Sequence, residues 1–501
     1  MRTYPLPSAT LTPNTPDYER LPLIKPTGFR EYDARWLFGP ELNLMGVQYL
    51  GMGLGTLIKQ RGVKPEIVVG HDYRSYSAAI KLALTQGLMA TGCTVHDIGL
   101  AVTPAAYYAQ FALDVPCVAQ VTASHNENGW TGVKMGMNKP LTFGPDEMSA
   151  LKDITLNTRF DLSAGGAYHL HTDFAQRYIA HLTDRKPFTR NIRAVVACGN
   201  GTAGAFAPQV LGKLGIEVIQ LHCTPNHTFP NYNANPEDME MLHDMAAAVK
   251  HHNADLALGF DGDGDRCGVV DNTGAEIFSD KLGVLIARNI AKQHAGAQFV
   301  VDVKSTSLYN TDPVLTELGA KTDYFKTGHS YIKRRTTELN ALAGFEKSGH
   351  FFFRQPYGLG YDDALVSALM VLDMLDANPD KSMADLVATL PVTHGSPTMS
   401  PHCPDEEKYG VIDAITAHFQ QVANNKQPLC NLPIIDINTV NGVRVTLEDG
   451  TWGLIRASSN KPELVVVVES PVSEAQRNAI FAELKKVMAT HPAIGAFNQS
   501  L

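Results

Sequence analysis

The chain has 501 residues and a net charge of −9, and 44% of its residues are apolar. A single hydrophobic core rarely grows past about 300 residues, so this length excludes a one-domain protein, and the apolar content excludes a largely disordered chain. The mildly acidic balance offers no basic surface for nucleic acid or anionic membrane, and no apolar stretch reaches the ~18 residues that cross a bilayer.

The N-terminal residues 1–27 are rich in proline and lack a basic segment followed by an apolar one. We therefore expect an extended arm and no secretory signal. The seven cysteines are odd in number, widely spaced and without a CxxC pair, which is typical neither of a disulfide framework nor of a zinc site. This pattern predicts a reducing compartment and a cytoplasmic protein.

Three copies of a strand, helix, glycine and strand pattern follow in chain order. The copies are 65–71 with Gly92 and a strand from Thr94, 193–198 with Gly215 and 216–221, and 298–303 with Gly319 and a strand from Lys321. A β-branched run, a helix of 3.6 period and a terminal glycine predict a βα unit. Such repeats favour α/β domains with mostly parallel sheets.

The chain after residue 393 has a different pattern. Strand-like segments at 438–445, 454–457 and 464–469 surround a turn at 448–450 and precede a helix from about 473 to 490. These features predict a hairpin-rich α+β module, and the prolines of 394–405 predict a linker before it.

We therefore predict three similar mixed α/β domains, each a βα repeat, and a C-terminal α+β domain. The predicted limits are the arm at 1–27, domain I at 28–168, domain II at 169–275, domain III at 276–392 and domain IV at 393–501.

A loop of alternating carboxylates follows the apolar strand 256–259. Asp261, Asp263 and Asp265 are separated by glycines, so their oxygens can converge on one hard cation. An EF-hand loop would need glycine at Arg266 and glutamate at Asn272, and a solvated turn would not need both glycines. The sequence thus predicts a divalent-metal site.

A polar turn, Thr122–Asn126, follows a second apolar strand at 116–121 and presents Ser124 and His125. The ends of strands are where α/β sheets place chemistry. However, no GxSxG elbow is present, and taken alone this motif is better interpreted as an ordinary Ser/Asn turn. The segment Gly199–Gly204 matches GxGxxG, yet the region 220–224 lacks the acidic residue of a dinucleotide site. A tight strand-to-helix turn is therefore the favoured interpretation there.

Two further turns concentrate polar side chains. The segment Gly344–His350 contains Glu346, Ser348 and His350, and the segment 454–462 gathers a guanidinium, two hydroxyls, an amide and an ammonium. The second composition suits a phosphate, which binds a fork of charged donors, although a hairpin loop with incidental polarity is the alternative.

Together and in this order, these motifs resemble those of the α-D-phosphohexomutase superfamily, and most closely its bacterial phosphomannomutase/phosphoglucomutase type. The matching segments are an opening motif at Phe29–Arg35, a phosphoserine loop at Thr122–Asn126, a metal loop at Asp261–Arg266, a sugar-recognition loop at Glu346–His350 and a phosphate-binding loop at Arg456–Pro462.

The resemblance implies four domains around a central cleft. It also implies a mutase that interconverts the 6- and 1-phosphates of mannose or glucose through a phosphoserine enzyme and a hexose 1,6-bisphosphate intermediate, with that bisphosphate as activator. Mg²⁺ would be held by phosphorylated Ser124 and the three aspartates of the metal loop. The implied catalytic residues are Ser124, His329, Lys134, Arg266, Arg35 and His125, and the implied substrate contacts are Lys304, Glu346, Ser348, His350, Arg456, Ser458, Ser459, Asn460 and Tyr32.

Three alternatives remain open at this point. The first is a phosphoglucosamine mutase, whose sugar loop also has the sequence Glu-x-Ser-Gly-His. The second is a nicotinamide enzyme that uses the GxGxxG turn, and the third is a non-catalytic protein that binds sugar phosphates. The only partner implied is a small phosphosugar, and we expect no nucleic acid, membrane or obligate protein partner.

Overall fold

The structure is a computed structural model and describes residues 4–459, 461–499 and 501. Its contacts divide the chain into two units, Met1–Leu282 with Ser348–Asp385 and Gly283–Lys347 with Leu386–Leu501. No helix among the described residues is long and apolar enough to span a bilayer.

The first sheet belongs to the first unit and carries helices between its strands. In chain order the elements are α1 (Pro16–Arg20), β1 (Ala34–Leu37), α2 (Leu44–Gln60), β2 (Glu66–His71), α3 (Ser77–Ala90), β3 (Thr94–Leu100), α4 (Thr103–Ala112), β4 (Cys117–Val121), β5 (Trp130–Met137), α5 (Pro145–Leu156) and β6 (Ala167–Leu170). The strand order is β1-β5-β4-β2-β3-β6. Strands β4, β2, β3 and β6 are parallel, and β5 runs antiparallel to β4 and β1.

Close helix packing explains the glycines of α2. A Cβ at Gly51 would lie 2.3 Å from the carbonyl oxygen of Leu84 on α3, so only glycine lets the two helices approach this closely. The predicted extended arm contains the short helix α1, and Ile24 packs into the core of this sheet.

The second sheet also lies in the first unit and has the order β11-β10-β9-β7-β8. Its strands and the neighbouring helices in chain order are α6 (Phe174–Thr183), β7 (Arg193–Ala197), α7 (Ala207–Lys213), β8 (Glu217–Leu221), α8 (Met239–His252), β9 (Leu256–Phe260), β10 (Cys267–Asp271) and β11 (Glu276–Ile277). Helix α9 (Ser279–Gln293) follows along the chain, and most of its residues belong to the second unit. Glycines at positive φ precede the second strands of the first two repeats, at Gly92 (+84°) and Gly215 (+89°), as predicted.

The third repeat differs from its prediction in one respect. Its elements, and those that follow them, are β12 (Gln298–Asp302), α10 (Leu308–Thr311), α11 (Pro313–Glu317), β13 (Lys321–Phe325), α12 (His329–Glu338), β14 (Ala343–Phe345), β15 (Phe351–Phe353), α13 (Ala364–Asp376) and α14 (Met383–Val387). Strand β12 is parallel to β13 and β14. The single predicted helix is two short ones, because Pro313 has no amide hydrogen and Asp312 caps a new helix at Leu315.

The C-terminal sheet is antiparallel throughout and has the order β16-β20-β19-β18-β17. Its elements are β16 (His394–Gly395), α15 (Lys408–Asn424), β17 (Ile434–Asn438), β18 (Val443–Leu447), β19 (Trp452–Ala457), β20 (Leu464–Ser470) and α16 (Glu474–Met488). The predicted strand 438–445 is a hairpin that turns at Gly442, whose φ is +75°.

The segment 394–405 does not behave as the free linker that its prolines suggested. Strand β16 pairs with β20, and Met399 and Cys403 are buried in the core of the C-terminal sheet. Proline is tolerated at the edge of a sheet, where its missing amide hydrogen has no partner to lose. The predicted fold class, three mixed α/β domains and a C-terminal α+β domain, is confirmed.

Candidate active site

Ser124 lies in the turn that leaves β4 and is buried, with an exposed fraction of 4%. Its φ of +52° is in the left-handed region, which side-chain-bearing residues seldom adopt. The Oγ donates to Asp261 Oδ2 at 3.0 Å and lies 3.2 Å from His125 Nδ1. The predicted nucleophile and the predicted metal loop therefore meet within the first unit.

Main-chain contact holds these loops together. A Cβ at Gly262 would lie only 2.3 Å from the carbonyl oxygen of Ser124, and Gly201 approaches Gly262 from the other side. The amide of Thr202 donates to the carbonyl of Gly262 at 2.9 Å. The GxGxxG match is thus a tight turn, as predicted, and it supports the metal loop.

The three aspartates of the metal loop are fully buried, and one oxygen of each lies within 4.8 Å of the others. Burial, reinforced by the neighbouring carboxylates, raises the pKa of Asp261 to about 6 and that of Asp265 to about 7. Burial acts in the same direction on Asp263, but the Lys134 ammonium overcomes it and lowers its pKa below the usual range.

These residues fit a hard divalent cation. Among the described residues, Asp263 Oδ1 and Asp265 Oδ1 are buried and have no hydrogen-bond donor. An oxygen-only donor set of this kind is what Mg²⁺ prefers, and a bound cation would satisfy both oxygens.

Three predicted cations surround Ser124 and the aspartates. Lys134 donates to Asp263 Oδ2 at 2.8 Å and also contacts Asp265, and Arg266 Nε donates to Asp261 Oδ2 at 3.1 Å. Arg35 donates to the carbonyl of Ala123 at 2.7 Å. Burial opposes the charge of all three cations, but the nearby carboxylates outweigh it and raise their pKa values.

The sequence motifs did not predict a clamp formed by the buried Arg74 guanidinium on the predicted phosphoserine loop. Arg74 donates to the carbonyls of Asn126 at 2.5 Å, Glu127 at 2.8 Å and Ser124 at 3.3 Å, and its Nε pairs with Asp72 at 3.3 Å. Asp72 follows β2, which is paired with β4, so the strand-end rule applied to β2 would have pointed to this pair.

The predicted sugar-recognition loop is divided between the two units. Ser348 and His350 belong to the first, where His350 Nδ1 lies 2.9 Å from Asp362 Oδ2 and 3.7 Å from Asp265 Oδ1. His350 is thus next to the metal loop, and Asp362 is a further residue that the motifs did not predict. Tyr32 is buried in the first unit, in the turn before β1.

In the second unit, Glu346 Oε1 accepts the amide of Gly328 at 2.6 Å and so holds the turn where α12 begins at His329. Lys304 lies 3.6 Å from Asp302 at the end of β12. Both predicted substrate contacts and the predicted proton carrier are buried there.

The predicted phosphate-binding loop joins β19 to β20 in the same unit. Arg456 and Ser458 are buried, whereas Ser459 is half-buried and Asn460 lies outside the described residues. Lys408, which the sequence interpretation missed, donates to the carbonyl of Ser458 at 2.5 Å and to that of Lys461 at 3.0 Å. This buried ammonium fixes the shape of the loop.

Comparison with known families gives four matches in chain order. The models of the phosphoglucomutase/phosphomannomutase alpha/beta/alpha domains I, II and III match residues 26–161, 176–274 and 278–393, and the model of the C-terminal domain matches 402–487.

Individual relatives match over nearly their whole length. The phosphomannomutase/phosphoglucomutase of Pseudomonas aeruginosa is 34% identical over 91% of this chain and 94% of its own. The phosphoglucomutase of Neisseria gonorrhoeae is 30% identical over 93% of this chain and 97% of its own. A solved phosphoglucomutase/phosphomannomutase family protein from Burkholderia thailandensis has a TM-score of 0.83 and 29% identity, covering 94% of this chain and 99% of that one.

Proposed function

Because the chain belongs to the phosphoglucomutase/phosphomannomutase family and is a phosphosugar mutase, we propose that it moves a phosphoryl group between O6 and O1 of mannose or glucose phosphates. The group would pass through phosphorylated Ser124 and a hexose 1,6-bisphosphate intermediate. The same bisphosphate would restore the phosphoserine if the intermediate escaped, and would therefore act as the activator.

The observation that carries this proposal is the placement of one serine hydroxyl among buried charges. Ser124 Oγ lies 3.0 Å from Asp261, and Lys134 and Arg266 are hydrogen-bonded to the same set of aspartates. Cations fixed in this way stabilise the charge that develops on a phosphoryl group in transit, without having to reorganise. Mg²⁺ bound by the aspartates would add charge neutralisation.

The proton of Ser124 needs an acceptor when the serine takes the phosphoryl group back. Asp261 Oδ2 already accepts the hydroxyl hydrogen, and His125 Nδ1 lies at 3.2 Å on the same atom. Because Asp261 is also a predicted metal ligand, we assign this acceptance to His125. We assign proton exchange with the sugar to His329, in line with its buried position at the start of α12.

We assign the non-reacting phosphate to the loop of Arg456, Ser458, Ser459 and Asn460. The guanidinium of Arg456 can hold a phosphate by two parallel hydrogen bonds. Lys408 stabilises the loop through its hydrogen bond to the carbonyl of Ser458. The predicted sugar contacts remain Lys304, Glu346, Ser348, His350 and Tyr32. The cytoplasmic location and the limits of the four domains also remain predictions.

The decisive experiment measures the intact mass of the full chain before and after incubation with glucose 1,6-bisphosphate or mannose 1,6-bisphosphate. We expect the wild-type protein to carry one phosphoryl group, and Ser124→Ala to carry none and to lose mutase turnover by at least a thousandfold. Ser75→Ala, which changes an exposed serine of the same unit, is the matched control and should behave as wild type. A phosphoryl group that persists on Ser124→Ala would place the carrier elsewhere.

A comparison of kcat/KM for the 1-phosphates of mannose, glucose and glucosamine then defines the substrate. Higher kcat/KM for glucosamine 1-phosphate than for both hexoses would contradict the mannose and glucose assignment while leaving the phosphoserine mechanism intact.

A further inference from the structure

Three histidines meet on one face at the edge of the first sheet, away from the active site. His96 on β3 lies directly opposite His169 on the edge strand β6, and His171 follows two residues later. Alternate residues of a strand project from the same face, so the pair His169 and His171 shares the face of His96. The imidazole of His96 stacks on both, with ring centroids at 5.3 and 5.4 Å.

Two of these imidazoles already have the spacing of metal ligands. His96 Nδ1 and His171 Nε2 are 3.2 Å apart and share a hydrogen bond. Two nitrogens that each lie ~2.05 Å from a tetrahedral Zn²⁺ are separated by about 3.3 Å, so the spacing suits an ion beside the N···N line, once the rings give up their hydrogen bond and turn both lone pairs toward it.

The chemical state of the rings also suits ligation. Burial, together with the neighbouring imidazoles or with Arg177, lowers the pKa values of His96 and His171 below the usual range. Both rings are therefore neutral at physiological pH, which is the form that binds a metal. The Glu66 carboxylate acts on the pKa of His96 in the opposite direction, but its effect is smaller than that of burial.

We propose that His96, His169 and His171 form a binding site for a borderline transition-metal dication such as Zn²⁺. His96 Nδ1 and His171 Nε2, which exchange their mutual hydrogen bond for the ion, supply two of the ligands. The exposed imidazole of His169 turns to supply the third nitrogen, and water completes the coordination. Imidazole ligands favour Zn²⁺, Ni²⁺ or Cu²⁺ over Mg²⁺, so the site differs in metal class from the aspartate loop.

A metal at this site would cross-link the edge strand β6 to β3 and would lie away from the candidate active site. Two strands, β2 and β3, separate β6 from β4, which leads to Ser124. At ~4.8 Å per strand this places His169 and His171 about 14 Å from β4 and His96, on β3, about 10 Å from it. Zn²⁺ should therefore stabilise the protein through this site without a requirement for it in turnover.

The test uses the full chain without an affinity tag, saturated with Mg²⁺ to occupy the aspartate loop. Isothermal titration with ZnCl₂ compares the wild type with His96→Asn, His169→Asn and His171→Asn, and His243→Asn on the exposed side of α8 is the matched control. We expect each of the three variants to weaken one binding event at least tenfold, with the control unchanged. Equal Zn²⁺ binding in wild type and all three variants would overturn the proposal.

A spectroscopic readout separates this site from adventitious binding and from the aspartates. Co²⁺ bound to nitrogen ligands in tetrahedral geometry absorbs visible light strongly, whereas Co²⁺ in an octahedral oxygen site absorbs weakly. We expect the strong band in wild type and its loss in His171→Asn, with Mg²⁺-dependent mutase activity retained. A weak octahedral spectrum alone would show that the histidines only share a hydrogen bond. If His96→Asn fails to fold, the variants of the half-exposed His171 and the exposed His169 still test whether the histidines bind the metal.

Discussion

Replacement of Gly262 by alanine tests whether main-chain contact sets the distance between the predicted nucleophile, Ser124, and the predicted metal loop. The added Cβ would lie 2.3 Å from the carbonyl oxygen of Ser124, whereas a comfortable carbon–oxygen contact is ~3.3 Å. One loop must therefore move by about 1 Å. A misplacement of that size at a reacting centre costs roughly a hundredfold in rate, or ~2.7 kcal/mol in the activation barrier.

The assay is steady-state turnover of glucose 1-phosphate, with thermal unfolding measured in parallel. Gly201→Ala should have a smaller effect, because its Cβ would meet Gly262 at 2.9 Å and needs less displacement. Gly212→Ala is the matched control, since its Cβ meets no atom within 4 Å and alanine favours the helix α7. A kcat of Gly262→Ala above one third of wild type, or a larger loss for Gly201→Ala, would refute the reasoning.

The remaining predictions concern the metal, the phosphate loop, the clamp and one buried acid. Excess chelator should abolish turnover and Mg²⁺ should restore it, and full activity of metal-free protein would contradict the aspartate site. Arg456→Ala should raise KM about ten- to a hundredfold for both sugars, because a charged hydrogen bond contributes ~1.5–3 kcal/mol; an unchanged KM would remove this loop from the site. Arg74→Lys should lower kcat about tenfold or more, since an ammonium cannot replace the fork that holds three carbonyls; unaltered kcat would make the clamp dispensable. Burial raises the pKa of Asp363 to about 6, so its ionisation opposes folding as the pH rises from 4 to 6. Asp363→Asn keeps the cap of α13 and should therefore add up to about 3 kcal/mol to the free energy of unfolding at pH 7 and nothing at pH 4. Denaturant titrations at the two pH values test this expectation.

Local patterns predicted the clustering of the candidate metal ligands in one loop. The alternation of Asp261, Asp263 and Asp265 with glycines is a property of consecutive residues, and the structure brings their oxygens together as expected. The Ser124 turn was ambiguous by itself, and its role became predictable only from the order of all the motifs.

Contacts between distant segments were harder to predict. Arg74 reaches the predicted phosphoserine loop only because β2 and β4 are neighbours in the sheet, and this pairing spans about fifty residues that no local pattern connects. The segment 394–405 was misinterpreted for a related reason. Its prolines indicate an interruption of local structure, but β16 is stabilised by pairing with β20, far along the chain.

The left-handed backbone of Ser124 has a consequence for how an inert form of the protein should be made. A residue with a side chain at a φ of +52° costs about 1 kcal/mol relative to glycine, which adopts this region freely. Alanine would remove the hydroxyl and keep the strain, whereas glycine would remove both. At this predicted nucleophile, the hydroxyl that the proposed reaction needs belongs to a residue whose backbone conformation is less favourable than that of glycine. For crystallography or calorimetry with a bound sugar bisphosphate, we therefore expect Ser124→Gly to be a less strained inactive variant than Ser124→Ala.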